Sequence, residues 1–151
     1  MARKGAGMTT PAETYRLEEQ IGFKLRKVHQ QASEVFARVM AGYDVTPTQF
    51  AALTKLYDEG AVSQNALGRL TAMDPATMSG VVNRLKKRGL LAQSANPQDG
   101  RAMLLNLTEE GQRLTLEMRA RGALVSADTL KPLKAQEKKR LLALLDRLAG
   151  T

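Results

Sequence analysis

Residues 61–111, AVSQNALGRLTAMDPATMSGVVNRLKKRGLLAQSANPQDGRAMLLNLTEEG, decide the fold. The second of the two short helices they encode is the informative part. Asp74 is a good N-cap and Pro75 suits a first helical turn, where its missing N–H costs nothing. Gly89 stops the helix with a residue that tolerates a left-handed conformation. Between them Met78, Val81, Val82 and Leu85 recur at i, i+3, i+4 and i+7, an apolar stripe that must face a core. The other arc carries Ala76, Thr77, Ser79, Gly80, Asn83, Arg84 and Lys87. Small residues at one end permit close approach, polar ones in the middle offer base-edge contacts, and basic ones beyond meet phosphate. These are the requirements of a helix that enters the DNA major groove.

Working outward, Ser63 can cap a preceding short helix with Ala66, Leu67 and Leu70 inward, and TAMD at 71–74 makes the turn between the two. After Gly89, LLAQSA pairs with AMLLNL across NPQDGR. Asn96-Pro97 and Asp99-Gly100 are strong turn signals, so a hairpin is expected there. Helix, turn, helix and hairpin in that order give a winged helix-turn-helix, with Arg101 at the wing tip free to enter an adjacent minor groove. Asp99 is placed to hold that guanidinium by a charge-assisted pair.

The run from Leu67 to Gly111 resembles the MarR family of bacterial transcription regulators. The resemblance rests on the spaced helix-turn-helix, on LKKRGLL, on Asp99-Gly100-Arg101 and on LTEEG at 107–111. One departure stands out. The family commonly has a basic residue two to four positions beyond the Gly-Leu step, where this chain has Ala92, Gln93 and Ser94, so fewer phosphate contacts are expected from the base of the wing.

Composition sets the frame. At 151 residues with 43% hydrophobic content the chain can bury a core. It has no apolar run long enough to span a bilayer and no signal-peptide pattern, which leads us to expect a cytoplasmic protein without membrane partners. The absence of cysteine excludes disulfides, thiolate metal sites and thiol redox sensing. A net charge of +8 favours a polyanionic partner. Between 84 and 101 five basic residues accompany one aspartate. KKR at 86–88 alone could be a solvated face; with a wing downstream, phosphate contact is the better reading.

The flanks read as helix. Thr10-Pro11-Ala12-Glu13 is a capping-box start, and the pattern runs without proline to Ala41. Leu17, Ile21, Leu25, Val28, Ala32, Val35 and Val39 form a stripe longer than one small domain covers, which points to a helix packed on another chain as well. Thr46-Pro47-Thr48-Gln49 repeats the start signal, with Phe50, Leu53 and Leu56 inward. Thr108 caps a later helix marked by Leu114, Met118 and Val125, with a break or bend expected at Gly122 or at 128–132. The last helix carries Leu141, Leu144, Leu145 and Leu148 on one face, with Leu142 beside them.

The expected fold is therefore mainly α with a small β-hairpin wing (α+β). Residues 46–107 form the winged helix-turn-helix, 11–45 and 108–151 a helical dimerisation region, and 1–10 a disordered tail. The expected partners are a near-palindromic double-stranded DNA operator and a second copy of the chain.

No catalytic constellation or cofactor motif is present, so no enzyme and no cofactor are expected. The chain has one histidine, His29, which cannot build a multi-histidine metal site. A protein-interaction module without DNA binding is the rival class, but such a surface wants aromatics or large aliphatics on the outer arc. What the resemblance implies beyond DNA is repression relieved by a small anionic or aromatic effector, an aromatic acid or its CoA thioester, and control of aromatic-compound catabolism. Candidate effector residues are Phe23, Arg26, His29, Gln30 and Phe50, since aromatic walls plus a cation suit an aromatic carboxylate. Arg26, His29 and Gln30 are equally at home as solvated residues of an amphipathic helix.

Overall fold

Two apolar clusters organise the chain, and they divide it where the sequence changes periodicity. The computed structural model describes residues 10–151, so the expected tail at 1–9 lies outside it. The elements run α1 (Pro11–Thr14), a 3-10 turn (Leu17–Glu19), α2 (Ile21–Val39), α3 (Pro47–Glu59), α4 (Gln64–Leu70), α5 (Pro75–Lys87), β1 (Leu91–Asn96), β2 (Asp99–Leu107), α6 (Glu109–Thr129) and α7 (Ala135–Ala149).

The first cluster is the core of the helix-turn-helix and wing. Ala52, Leu53 and Leu56 of α3, Leu67 of α4, and Met78, Val81, Val82 and Leu85 of α5 close on Leu90, Leu91 and Leu105. All four stripe residues of α5 are buried, as their spacing demands. Leu53, Leu67 and Leu85 are wholly enclosed, and each contributes about 1.5–3 kcal/mol by leaving water. Leu70, expected inward, is instead 41% exposed, as the last residue of α4.

Strands β1 and β2 pair antiparallel from Leu91↔Leu107 to Ala95↔Met103, and again at Asn96↔Asp99 after a bulge. The turn is thus tighter than NPQDGR, with Pro97 and Gln98 at its tip. Its cause is local: Asn96 Oδ1 accepts from the Gln98 N–H at 3.0 Å, and Asp99 Oδ1 accepts from the Arg101 N–H at 3.1 Å. Val62 adds a single antiparallel bridge to Leu105, with backbone bonds of 2.7 and 3.2 Å, that fastens the wing to the start of α4.

The second cluster joins α2 to α6 through Phe36, Met40 and Met118, with Tyr43, Phe50 and Val125 packed against it. The ion pair Arg38–Asp128 joins α2 to α6 and Arg119–Asp58 joins α6 to α3, but both are substantially solvated and such pairs contribute little. The apolar contacts hold this junction.

The flanks add three findings to what was expected of them. The helix expected over 10–41 is interrupted: α1 closes after one turn inside its own capping box, with the Thr10 N–H donating to Glu13 Oε2 at 2.6 Å. Tyr15 and Gln20 are extended, and the long helix begins only at Ile21. No residue of α1 or of the 3-10 turn is buried, so no packing enforces continuity there.

Second, only the end of the stripe in α2 meets this chain's own core, at Val35, while Leu17, Ile21, Leu25 and Val28 are 45–62% exposed. Third, α6 runs unbroken through Gly122 and ends at Thr129, so the expected break falls in 128–132 alone. That glycine is a packing site, because a Cβ there would lie 3.1 Å from Phe50 Cζ.

Candidate nucleic-acid interface

The outer arc of α5 is set by its N-cap. Asp74 Oδ1 accepts from the Thr77 N–H at 2.9 Å, and the Thr77 hydroxyl donates to Asp74 Oδ2 at 2.6 Å. The Thr77 hydroxyl, then its backbone N–H, hold the Asp74 carboxyl below the usual carboxylate range. With its proton committed to a carboxylate, the hydroxyl cannot donate to a base acceptor, so towards a thymine the methyl is the group Thr77 has free. Ala76, Thr77, Gly80, Asn83, Arg84 and Lys87 are exposed, whereas Ser79 is half-buried. Ser63 is half-buried too and acts as the N-cap of α4, accepting from the Ala66 N–H at 3.2 Å.

The outer arc carries no aromatic or large aliphatic side chain. Thr108 caps α6 while donating its hydroxyl to the Gly89 carbonyl at 2.6 Å, which locks the end of α5 to the start of α6. The approach is so close that a Cβ on Gly111 would stand 2.1 Å from the Leu90 carbonyl oxygen. This accounts for two positions of LTEEG in physical terms: a cap at 108 and no side chain at 111.

The basic run 86–88 has divided duties that its sequence does not reveal. The Arg88 guanidinium donates to the Tyr43 carbonyl at 3.0 Å and to the Asp44 carbonyl, so although exposed it ties α5 to the α2–α3 loop. Lys86 Nζ donates to Gln93 Oε1 at 2.6 Å, across to β1. Gln93, one of the residues that break the family pattern, thereby draws a lysine to the base of the wing where a basic side chain was missed. Only Lys87 of the three makes no hydrogen bond within the described residues.

Arg101 is exposed, but it stands in the bulged part of β2 and not at the tip. Asp99 holds the backbone of Arg101; no Asp99–Arg101 ion pair occurs among the described residues.

The five effector candidates do not form one wall within a chain. Phe50 stacks obliquely on Phe36, ring centroids 5.8 Å apart. Phe23 lies thirteen residues earlier on α2, hence about 20 Å along the helix. Phe23 is half-buried under Lys27 Nζ at 5.9 Å, while Arg26, His29 and Gln30 are exposed. Phe50 instead borders a shallow apolar hollow of about 300 Å³ with Ala51, Thr54, Lys55, Leu70 and Thr71. Thr54 Oγ1 is enclosed there without a hydrogen-bond partner among the described residues. Among the described residues, no three His, Asp or Glu side chains are grouped to hold a metal ion. No described helix is long and apolar enough to cross a membrane.

A capped helix with an exposed small-polar-basic arc, braced by a second helix and flanked by an arginine-bearing hairpin, defines a winged helix-turn-helix DNA-binding protein. Comparison with known proteins fixes the kind. The MarR family model matches residues 43–102. The repressor NicR of Pseudomonas putida is 34% identical over 150 residues, spanning 98% of this chain and 95% of NicR. A probable transcriptional regulator from Pseudomonas aeruginosa is 47% identical, with TM-score 0.82 over 88% of this chain and 99% of that one. BpsR of Bordetella bronchiseptica, whose DNA binding is regulated by 6-hydroxynicotinic acid, is 34% identical with TM-score 0.86 over 91% and 98%. The chain belongs to the MarR family of transcription regulators, which are not enzymes.

Proposed function

We propose that this chain is a homodimeric repressor that leaves a near-palindromic operator when a small aromatic acid binds. The observation that carries the DNA half is the outer arc of α5, where Thr77, Asn83 and Lys87 are exposed on a helix whose other face is fully committed to the core. Thr77 and Asn83 take the role of base readers, with Ala76 and Gly80 allowing close approach, Lys87 on phosphate and Arg101 in the minor groove.

The dimer half is supported by unmatched apolar surface. Leu17, Ile21, Leu25 and Val28 on one flank and Leu142, Leu144 and Leu148 on the other are 42–73% exposed, and α7 buries no residue at all. Surface of that kind is what a second copy covers. In the proposed dimer the two α5 helices lie about one DNA turn, roughly 34 Å, apart.

The effector reading draws on the similarity to NicR and BpsR and on the Phe50 hollow. An aromatic ring against Phe50 with its polar group towards Thr54 and Lys55 fits a space of about 300 Å³. A bare acid suits it better than a CoA thioester, whose carrier would remain outside. Phe23, Arg26, His29 and Gln30 come into play only where a partner's helix meets that hollow.

The test is a titration of duplex-bound protein with a panel of aromatic acids, 6-hydroxynicotinic acid first. Release by one acid at micromolar level, blunted in Thr54→Val, is the expected result. Binding of operator unaltered by any of them removes the effector from the proposal and leaves a constitutive DNA binder.

A further inference from the structure

We propose that Arg88 is a positioning residue that fixes the angle between the winged unit and the α2–α6 arm. Through that angle it sets the half-site spacing that a dimer accepts. The inference rests on the reading of the chain as a dimer on paired half-sites, and adds to it a residue that acts without touching DNA.

Both helices of the arm are tied to the same end of α5. The Thr108 hydroxyl at the start of α6 donates to the Gly89 carbonyl at 2.6 Å. One residue earlier, the Arg88 guanidinium donates through its two terminal nitrogens to the carbonyls of Tyr43 and Asp44, in the loop that follows α2. The Arg88 N–H meanwhile bonds to the Arg84 and Lys86 carbonyls and ends α5. Arg88 thus closes the recognition helix with its backbone and holds the arm with its side chain.

The loop it holds belongs to both lobes. Tyr43 packs on the cluster of Phe36, Met40 and Met118, and its ring lies 5.4 Å under the Arg121 guanidinium of α6. Val45 packs against that cluster and against the winged core alike. Between them Asp44 stands at φ +52°, and Gly42 before them at φ +94°. A residue other than glycine persists in left-handed territory where its surroundings determine the path. Here the two carbonyls that Arg88 holds belong to the two peptide groups flanking the Asp44 α-carbon, so one planar fork fixes the bend on both sides. The Asp44 carboxylate takes no part, since no Arg88–Asp44 ion pair occurs among the described residues.

No other hydrogen bond among the described residues joins Tyr43, Asp44 or Val45 to α5. Without the fork this junction is left to apolar packing, which is non-directional. A dimer gains from a second half-site only while its geometry matches the spacing offered, so a looser junction lowers the gain and broadens the spacing tolerated.

The test uses the full chain on three duplexes: two half-sites at the separation the wild type selects, the same pair with two base pairs inserted, and a single half-site. Arg88→Ala should weaken binding to the first about tenfold and leave the other two within about twofold of wild type. Arg88→Lys keeps the charge but loses the planar fork, and should behave like Arg88→Ala. Asp44→Asn keeps the carbonyl and a residue type that tolerates positive φ, and should bind as wild type. Arg88 is exposed, so the melting temperature should move little in every variant.

Arg88→Ala with the wild-type spacing preference overturns the proposal and leaves the dimer reading intact. Equal losses on all three duplexes with a lowered melting temperature also overturn it, because Arg88 is then a residue of the fold alone. So does full rescue by Arg88→Lys with a salt slope lowered by about one in Arg88→Ala, the mark of a phosphate contact. A wild-type chain that binds all three duplexes alike overturns the spacing claim and the paired half-site reading together.

Discussion

Thr77 is the residue whose chemistry the structure sharpens most. With its hydroxyl held by Asp74, the methyl is what it can offer a thymine. Thr77→Ser keeps the hydroxyl and deletes the methyl, so it should cost about 1 kcal/mol on a selected duplex and almost nothing on a scrambled one. Equal losses on both duplexes in a fluorescence titration would assign Thr77 to the fold.

Ala72 permits a second test at this scale. It sits in the turn between α4 and α5 at φ +53°, left-handed territory that a Cβ disfavours. Ala72→Gly should stabilise the chain by about 1 kcal/mol in urea, and a loss of stability would mean the Cβ packs usefully.

Exposed positions such as Asn83 were legible in the sequence because α5 keeps helical period and its apolar stripe fixes the rest by exclusion. Arg88 and Lys86 were not. Nothing in KKR distinguishes a side chain bonded to carbonyls some 45 residues away from one facing DNA. Such partners are set by tertiary packing.

At the scale of elements, caps and stripes were read well wherever both local chemistry and burial agreed. Ser63, Thr46, Asp74 and Thr108 all accept from the third residue beyond them. The interruption before α2 escaped notice because apolar periodicity continues through it; those residues are exposed in a single chain, so the pattern does not report on continuity. The role of Gly122 was misread for a related reason. A glycine in a helix signals either a weak point or a close neighbour, and only the position of Phe50 decides.

Gly111 is the stronger case: Gly111→Ala must displace the Leu90 carbonyl and should destabilise by about 2 kcal/mol or more, measured by denaturant unfolding. Wild-type stability in that assay would refute the close approach. For α5, Asp74 has a lowered pKa, so its capping is present above the ordinary carboxylate range and fades as pH falls through the lowered value. Asp74→Ala should therefore lower the melting temperature at neutral pH, with the gap to wild type closing only in strongly acidic solution.

The described residues form one well-filled core under the helix-turn-helix and wing, a smaller one at the α2–α6 crossing, and two apolar flanks that no other described residue covers. The sequence announced those flanks as stripes too long for one domain, though it could not say which residues would meet this chain's own core. Val28, 56% exposed in the middle of the stripe, is the point to probe. Val28→Glu should leave the winged core folded and shift sedimentation from dimer to monomer, with DNA affinity falling steeply because two half-sites are no longer bridged.

The claim at the centre of this account is that α5 reads sequence. Its most direct test is a titration of Asn83→Ala against wild type, on a duplex selected from a random library and on its scrambled counterpart, at matched salt. A loss of about 1–3 kcal/mol confined to the selected duplex, with preference relaxed at one position in each half-site, is the predicted result. An equal loss on both duplexes, or none on either, would contradict it.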